Sequence, residues 1–214
     1  RTKMLIVYWN QKIGIMNEME LPKLMKDSSE KDGKAEIVMD YVLSWCLRRA
    51  DEICQKDNKP ILYEYCRYML GKLCEIDVNE SVVFKDVKVW KEDQNIDLWV
   101  ELVVETDGKS QKHAILIENK YYTGLHPVRD NEGQYRNQLE VYKERFIEHY
   151  SKKDEDWKLH YNLVTCVERE SPAFTMYDIA KDFGYQVHSF YDMLKDSDPE
   201  WTESDIFNEF WIRW

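Results

Sequence analysis

The sequence predicts an α/β protein: a mixed central sheet flanked by helices, with an N-terminal helical extension. Three observations predict it. Apolar residues recur at helical spacing over residues 35–74. The period shortens to two over residues 81–120, where β-branched and aromatic residues crowd between polar turns. After residue 134, helical and strand-like segments alternate, as in a sheet covered by helices.

The 214 residues suit one domain, with a helical part at 1–75, a core at 80–190 and a closing helix at 200–214. A composition of 43% hydrophobic and 14% aromatic residues, with seven Gly and five Pro, excludes a disordered or collagen-like chain. A chain of this size buries roughly 70% of its unfolded surface.

Taken in order, residues 4–9 are a short apolar run and residues 28–33 a polar linker. A helix is expected over 35–54, carrying Ile37, Val38, Tyr41, Val42, Trp45 and Cys46. Its first half is apolar on most sides, which predicts burial. Residues 57–60 break it, and a second helix follows over 61–74 with Leu62, Tyr65, Cys66, Met69, Leu70 and Leu73. Strands are expected at 81–90 and 96–105, joined by a polar turn at 91–95. The Asp107-Gly108 turn leads to a third strand at 113–120, completing a meander. Residues 121–133 form a long loop containing Gly124, Pro127 and Gly133. A helix at 134–150 follows, then strands at 159–167 and 185–190 and a closing helix at 204–214.

The net charge of −11 excludes a generic basic nucleic-acid coat. It leaves room for an enzyme whose metal ion offsets the acids. Five cysteines, an odd count without C-x-x-C spacing, suggest neither a disulfide framework nor a zinc ribbon. Buried reduced thiols and a cytoplasmic location are expected. No apolar run reaches the roughly 18 residues of a membrane span, so no membrane is expected. His113, His126, His149, His160 and His188 are scattered, without zinc-ligand spacing. The tryptophans, among them Trp90, Trp99, Trp201 and Trp211, are expected in the core or at a partner interface.

The sharpest feature is charge inside apolar strands. Ile115-Leu116-Ile117 runs into Glu118-Asn119-Lys120, and Asp97 interrupts Ile96-Asp97-Leu98-Trp99-Val100. Strand side chains alternate, so Glu118 and Lys120 share a face, which Asp97 joins if the strands pair. A carboxylate there is costly unless paired, exposed or metal-bound. A Glu-x-Lys pair alone is an ordinary solvated face. The combination carries more, because 20 residues separate Asp97 from Glu118 and Gln138 follows on the next helix, one turn before Tyr142. Two acids, an ammonium and an amide can hold a divalent cation, a water and a phosphate oxygen.

This Asp-(x20)-Glu-x-Lys pattern, followed by Gln-Leu-x-x-Tyr, resembles the PD-(D/E)XK nuclease superfamily, in particular its bacterial nuclease-like branch. The resemblance rests on Ile96-Asp97-Leu98, Ile117-Glu118-Asn119-Lys120 and Gln138-Leu139-Glu140-Val141-Tyr142. It extends to Glu36 ahead of Leu43-Ser44-Trp45-Cys46-Leu47, and it covers residues 36–190. The chain departs from the pattern in lacking Pro before Asp97 and in its longer loop at 121–133.

The resemblance implies a restriction-endonuclease-like fold and Mg²⁺- or Mn²⁺-dependent hydrolysis of phosphodiester bonds in nucleic acid, with DNA the leading substrate. By that resemblance Asp97 and Glu118 ligate the metal, with the Asn119 carbonyl as a further ligand. Lys120 orients water and stabilises charge, Gln138 positions Lys120 or the substrate, and Glu36 serves a second metal or a water. Gln134, Arg136 and Lys143 are expected to meet substrate phosphates. Lys85, Lys88, Lys91 and Arg145 either join them or form a solvated face. The alternative is a non-catalytic module on the same fold that binds nucleic acid, a protein partner or a second copy, within a bacterial defence or mobile-element system. The aromatic ending Phe210-Trp211-Ile212-Arg213-Trp214 either seals the domain or docks another chain.

Overall fold

The change of hydrophobic period near residue 81 is where helix gives way to sheet. The computed structural model describes Leu24 and residues 35–93, 96–195 and 198–213. The apolar run at 4–9, the linker at 28–33 and Trp214 lie outside the described residues. Helix α1 (Ala35–Arg49) ends five residues earlier than its apolar pattern suggests. Asp51 accepts the Ile53 N–H and starts a 3₁₀ turn, Glu52–Asp57, instead. Helix α2 (Pro60–Leu73) opens on Pro60, where a missing amide costs nothing.

Strands β1 (Val82–Asp93), β2 (Ile96–Thr106) and β3 (Lys109–Lys120) form the expected antiparallel meander. Asp107 and Gly108 both take positive φ, the two-residue turn whose twist matches a hairpin. Strand β1 continues through 91–93, into the stretch expected as turn, by pairing Lys91 with Leu98 and Asp93 with Ile96.

The long loop is partly structured. Strands β4 (Pro127–Arg129) and β5 (Tyr135–Asn137) make a separate hairpin. Residues 134–137 are therefore not the first turn of a helix. Helix α3 (Gln138–Ser151) starts where the Asn137 side chain accepts the Leu139 N–H at 2.9 Å. It crosses over to β6 (Trp157–Thr165), which lies parallel to β3. After a 3₁₀ turn and the short helix α4 (Ile179–Asp182), β7 (Gln186–Ser189) adds a second parallel strand. The five-stranded mixed sheet has the order β1-β2-β3-β6-β7.

The closing segment is not one regular helix. One α-turn, α5 (Asp205–Phe207), runs into a π-helical turn at Asn208–Ile212. The buried Asn208 amide explains the change, because it exchanges hydrogen bonds with Thr202 and draws the turn inward.

Helices cover both sheet faces. On one, Leu98, Val100, Ile115 and Ile117 meet Leu43, Leu47, Cys66 and Met69 of α1 and α2, with Phe207, Phe210 and Trp211 closing the layer. On the other, Trp99, Leu116 and Leu163 meet Leu139 and Phe146 of α3. The described part of the aromatic ending thus seals the core, whereas Trp90 and Trp201 are exposed. Four thiols are buried and Cys54 is half-buried; all five are unbridged. No helix among the described residues is long and apolar enough to cross a membrane.

Candidate active site

Alternation places the acids. The β2–β3 ladder pairs Leu98 with Ile117 and Trp99 with Leu116. One step further, Asp97 faces Glu118, on the sheet face that carries Trp99 and Leu116. Lys120 follows two residues on, at the end of β3. Glu118 is 2% exposed and Lys120 5%.

The Lys120 ammonium donates to Glu118 Oε1 at 2.7 Å. The Gln138 amide donates to the same oxygen. Gln138 is the first residue of α3, so the Asn137 cap sets its position. Its own Oε1 accepts the His126 N–H at 2.8 Å, which anchors the loop. Glu118 Oε2 is buried without a hydrogen-bond partner. Burial first, then the charges of Asp97 and Glu36, raise the Glu118 carboxyl to about 8 against the pull of Lys120. Burial works against the Lys120 charge, but Glu118 outweighs it and holds the ammonium above its ordinary range.

Asp97 Oδ2 accepts the Asn119 N–H at 2.8 Å. The Asn119 side chain turns to the opposite face, where its amide donates to Asp40 Oδ1 at 2.6 Å. Only the main chain of Asn119 therefore meets the acids. Glu36, in the first turn of α1, accepts the Tyr121 N–H at 2.9 Å and the Thr123 hydroxyl. It ties α1 to the chain leaving β3.

Sequence reasoning missed Asp40. It is buried, with Oδ2 3.7 Å from the Lys91 ammonium. Burial pushes it up to about 7, partly offset by the Asn119 hydrogen bond. The available signal was its i,i+4 relation to Glu36, which stacks two acids on one helix face. Tyr142, one turn after Gln138, also senses the site: burial, then Glu118 and Asp97, raise its phenol.

Arg136 and Lys143, expected to meet phosphates, have partners within the protein. Arg136 pairs with Glu140 and Glu144, each at 2.7 Å. Lys143 donates to the Phe183 carbonyl at 2.7 Å and lies over the Tyr161 ring. Gln134 is exposed, with its main chain bonded to Asp130. Lys85 pairs with Glu105, and Arg145 donates to the Arg129 carbonyl.

The donor set suits a hard cation: carboxylate oxygens, one of them buried and unpaired. The ligand atoms of Glu36, Asp97 and Glu118 do not all close to within 4.8 Å of one another, a spacing that Cys74, His113 and His160 alone reach among the described residues. Comparison of the chain with protein-family models, curated proteins and solved structures finds no match.

Proposed function

We propose that the chain is a metal-dependent nuclease on a restriction-endonuclease-like fold, hydrolysing phosphodiester bonds of nucleic acid, DNA before RNA. The observation that carries the reading is Glu118, buried opposite Asp97 with Lys120 and Gln138 on one oxygen and none on the other. Fold stability alone gives no reason to keep such a group, because an apolar pair of similar volume is often as stable. The antiparallel meander joined through α3 to a parallel strand supports the fold assignment.

Asp97 and Glu118 would hold Mg²⁺ or Mn²⁺, with Asn119 contributing through its main chain. When bound, the ion supplies an acidified water and neutralises phosphate charge. Lys120 supplies a fixed positive charge next to that position, to orient the water and stabilise the transition state. Gln138 holds Glu118 by its far oxygen. Glu36 acts as a positioning residue by bracing residues 121–123.

The test is incubation of plasmid and linear DNA, and of RNA, with the protein in Mg²⁺, Mn²⁺ or EDTA. Metal-dependent cutting that is lost in Asp97→Asn and Lys120→Met is expected. Cutting that survives either substitution overturns the site. One observation favours the non-catalytic reading: the net charge is −11 and Arg136 and Lys143 are committed to the fold. Calorimetric Mn²⁺ titration separates the two, since a pure scaffold shows no saturable binding sensitive to Glu118→Gln.

A further inference from the structure

We infer that the chain carries a second metal site, for a zinc-type transition metal, formed by Cys74, His113 and His160. It is separate from the acid cluster. His113 lies five residues before Glu118 on β3, about 16 Å along the strand. By alternation it faces the opposite side of the sheet, toward α2.

The placing follows from register. Strands β3 and β6 pair in parallel with Ile115 beside His160. Two residues back on β3, His113 sits diagonal to His160 on the same face. Cys74, the residue that ends α2, comes down onto both. One ligand atom from each residue lies within 4.8 Å of the other two, and all three side chains are buried. The histidines lack zinc spacing in sequence because strand pairing, not a local loop, brings them together.

The polar accounting is incomplete without a further partner. His113 Nδ1 and His160 Nε2 are 3.0 Å apart, one hydrogen bond between two neutral rings. The rings lie 13° from parallel, with centroids 5.1 Å apart. His160 Nδ1 is buried with no hydrogen bond. Its nearest carboxylate oxygen, Glu75 Oε2, stands 3.6 Å away. A buried polar atom left without a partner is costly to the fold.

A cation answers this arrangement. Tetrahedral Zn²⁺, with bonds of about 2.0–2.1 Å to nitrogen and about 2.3 Å to sulfur, needs ligand atoms about 3.3–3.6 Å apart. The two nitrogens open by a few tenths of an ångström and the rings tilt toward the ion. A thiolate with two imidazoles selects borderline-soft metals over Mg²⁺. Glu75 takes the outer nitrogen of His160, the carboxylate–histidine–metal relay that orients ligating imidazoles. The exposed Lys158 beside the rings opposes a dication, and the Glu75 charge offsets it. A surface cleft of about 400 Å³, lined by Ile76, Val104, Ser110, His113 and Lys158, gives entry and room for a water as fourth ligand. Binding converts the Cys74 thiol to a metal thiolate and releases one proton to solvent. The ion would fasten the end of α2 to β3 and β6.

Co²⁺ titration of the full chain, read by visible absorption, is the test. One equivalent should give tetrahedral d–d bands with a sulfur-to-cobalt charge-transfer band, displaced by Zn²⁺. Cys74→Ala and His113→Gln should each abolish the bands, with circular dichroism confirming their fold. Cys54→Ser and Glu118→Gln should leave them intact, which separates this site from the half-buried thiol and from the acid cluster. Absence of the bands in the wild-type chain, or their persistence in Cys74→Ala, overturns the assignment. Should Cys74→Ala not fold, His113→Gln decides.

Discussion

Replacing Glu118 by Gln should stabilise the protein while removing metal-dependent activity. The carboxyl sits at about 8 rather than 4.5, mainly because it is buried. Each unit is worth about 1.4 kcal/mol. At pH 7 the folded chain must keep this group protonated where the unfolded chain would not, at a cost of about 3 kcal/mol. The sign follows from proton counting. The folded state binds the extra proton between pH 4.5 and 8, so wild-type stability falls as pH rises through that window. Gln keeps an oxygen for Lys120 and Gln138 but does not titrate. The variant should therefore match wild type near pH 4.5 and exceed it by up to about 3 kcal/mol at pH 7, with a wider gap at pH 8. Urea unfolding in EDTA at pH 5, 7 and 8 reads this directly. A variant less stable than wild type by the same amount at every pH would refute the reasoning. It would make Glu118 a structural partner of Lys120, not an acid buried at a cost.

Asn137→Ala should cost about 1 kcal/mol by removing the cap of α3, and should also lower Mn²⁺ affinity because Gln138 is the first residue of that helix; thermal melts and calorimetry check both effects. Tyr150→Phe should cost about 1–3 kcal/mol by leaving the buried Trp99 Nε1–H without its 2.7 Å acceptor, as measured by urea unfolding. His188 is held at about 4, mainly by burial, and is bonded to Asn162. The unfolded chain protonates it near 6.5, so its contribution is complete above that pH and lost as pH falls toward 4. The stability gap between wild type and His188→Gln should therefore narrow by about 2 kcal/mol from pH 7 to pH 5. DNA affinity of Lys120→Met should fall only shallowly with salt between 50 and 200 mM, about one to three counterions' worth, because the nearby cations are internally paired; a slope near six would show a basic surface not yet identified.

What the sequence disclosed follows the reach of each signal. The meander was legible because Asp107-Gly108 and the period-two pattern are local. The start of α3 was not, because Tyr135 continues the helical stripe in sequence while its backbone pairs with Arg129 in space. The π-helical ending was hidden because the Asn208–Thr202 bonds arise only in the folded core. At the site, alternation sufficed to put Asp97, Glu118 and Lys120 on one face. The same rule sends the Asn119 side chain to the other face, toward Asp40. The internal partners of Arg136 and Lys143 differ in how far along the chain they lie. The Arg136 partners, Glu140 and Glu144, lie on the helix that begins two residues after it and are near in sequence; the Phe183 carbonyl that takes Lys143 is not.

The buried part of β3 shows why buried polar groups locate chemistry better than composition does. The net charge of −11 is spread over the surface, where ion pairs contribute little. Within the buried part of β3, residues 113–120, the pattern is apolar except at His113 and at Glu118-Asn119-Lys120. Three of them meet a residue from another element: Cys74 ending α2 beside His113, Gln138 of α3 on Glu118, and Asp40 of α1 and Asp97 of β2 on Asn119; Lys120 pairs with Glu118 on β3 itself. Three buried atoms here have no hydrogen bond: Glu118 Oε2 and Asn119 Oδ1 on β3, and His160 Nδ1 on the neighbouring β6. A fold selected for stability alone would lose these atoms to Leu or Val at little structural cost. Their presence at these two places is understood if each gap is matched to a cation as proposed above, a hard one beside the carboxylates and a softer one beside the thiol and imidazoles.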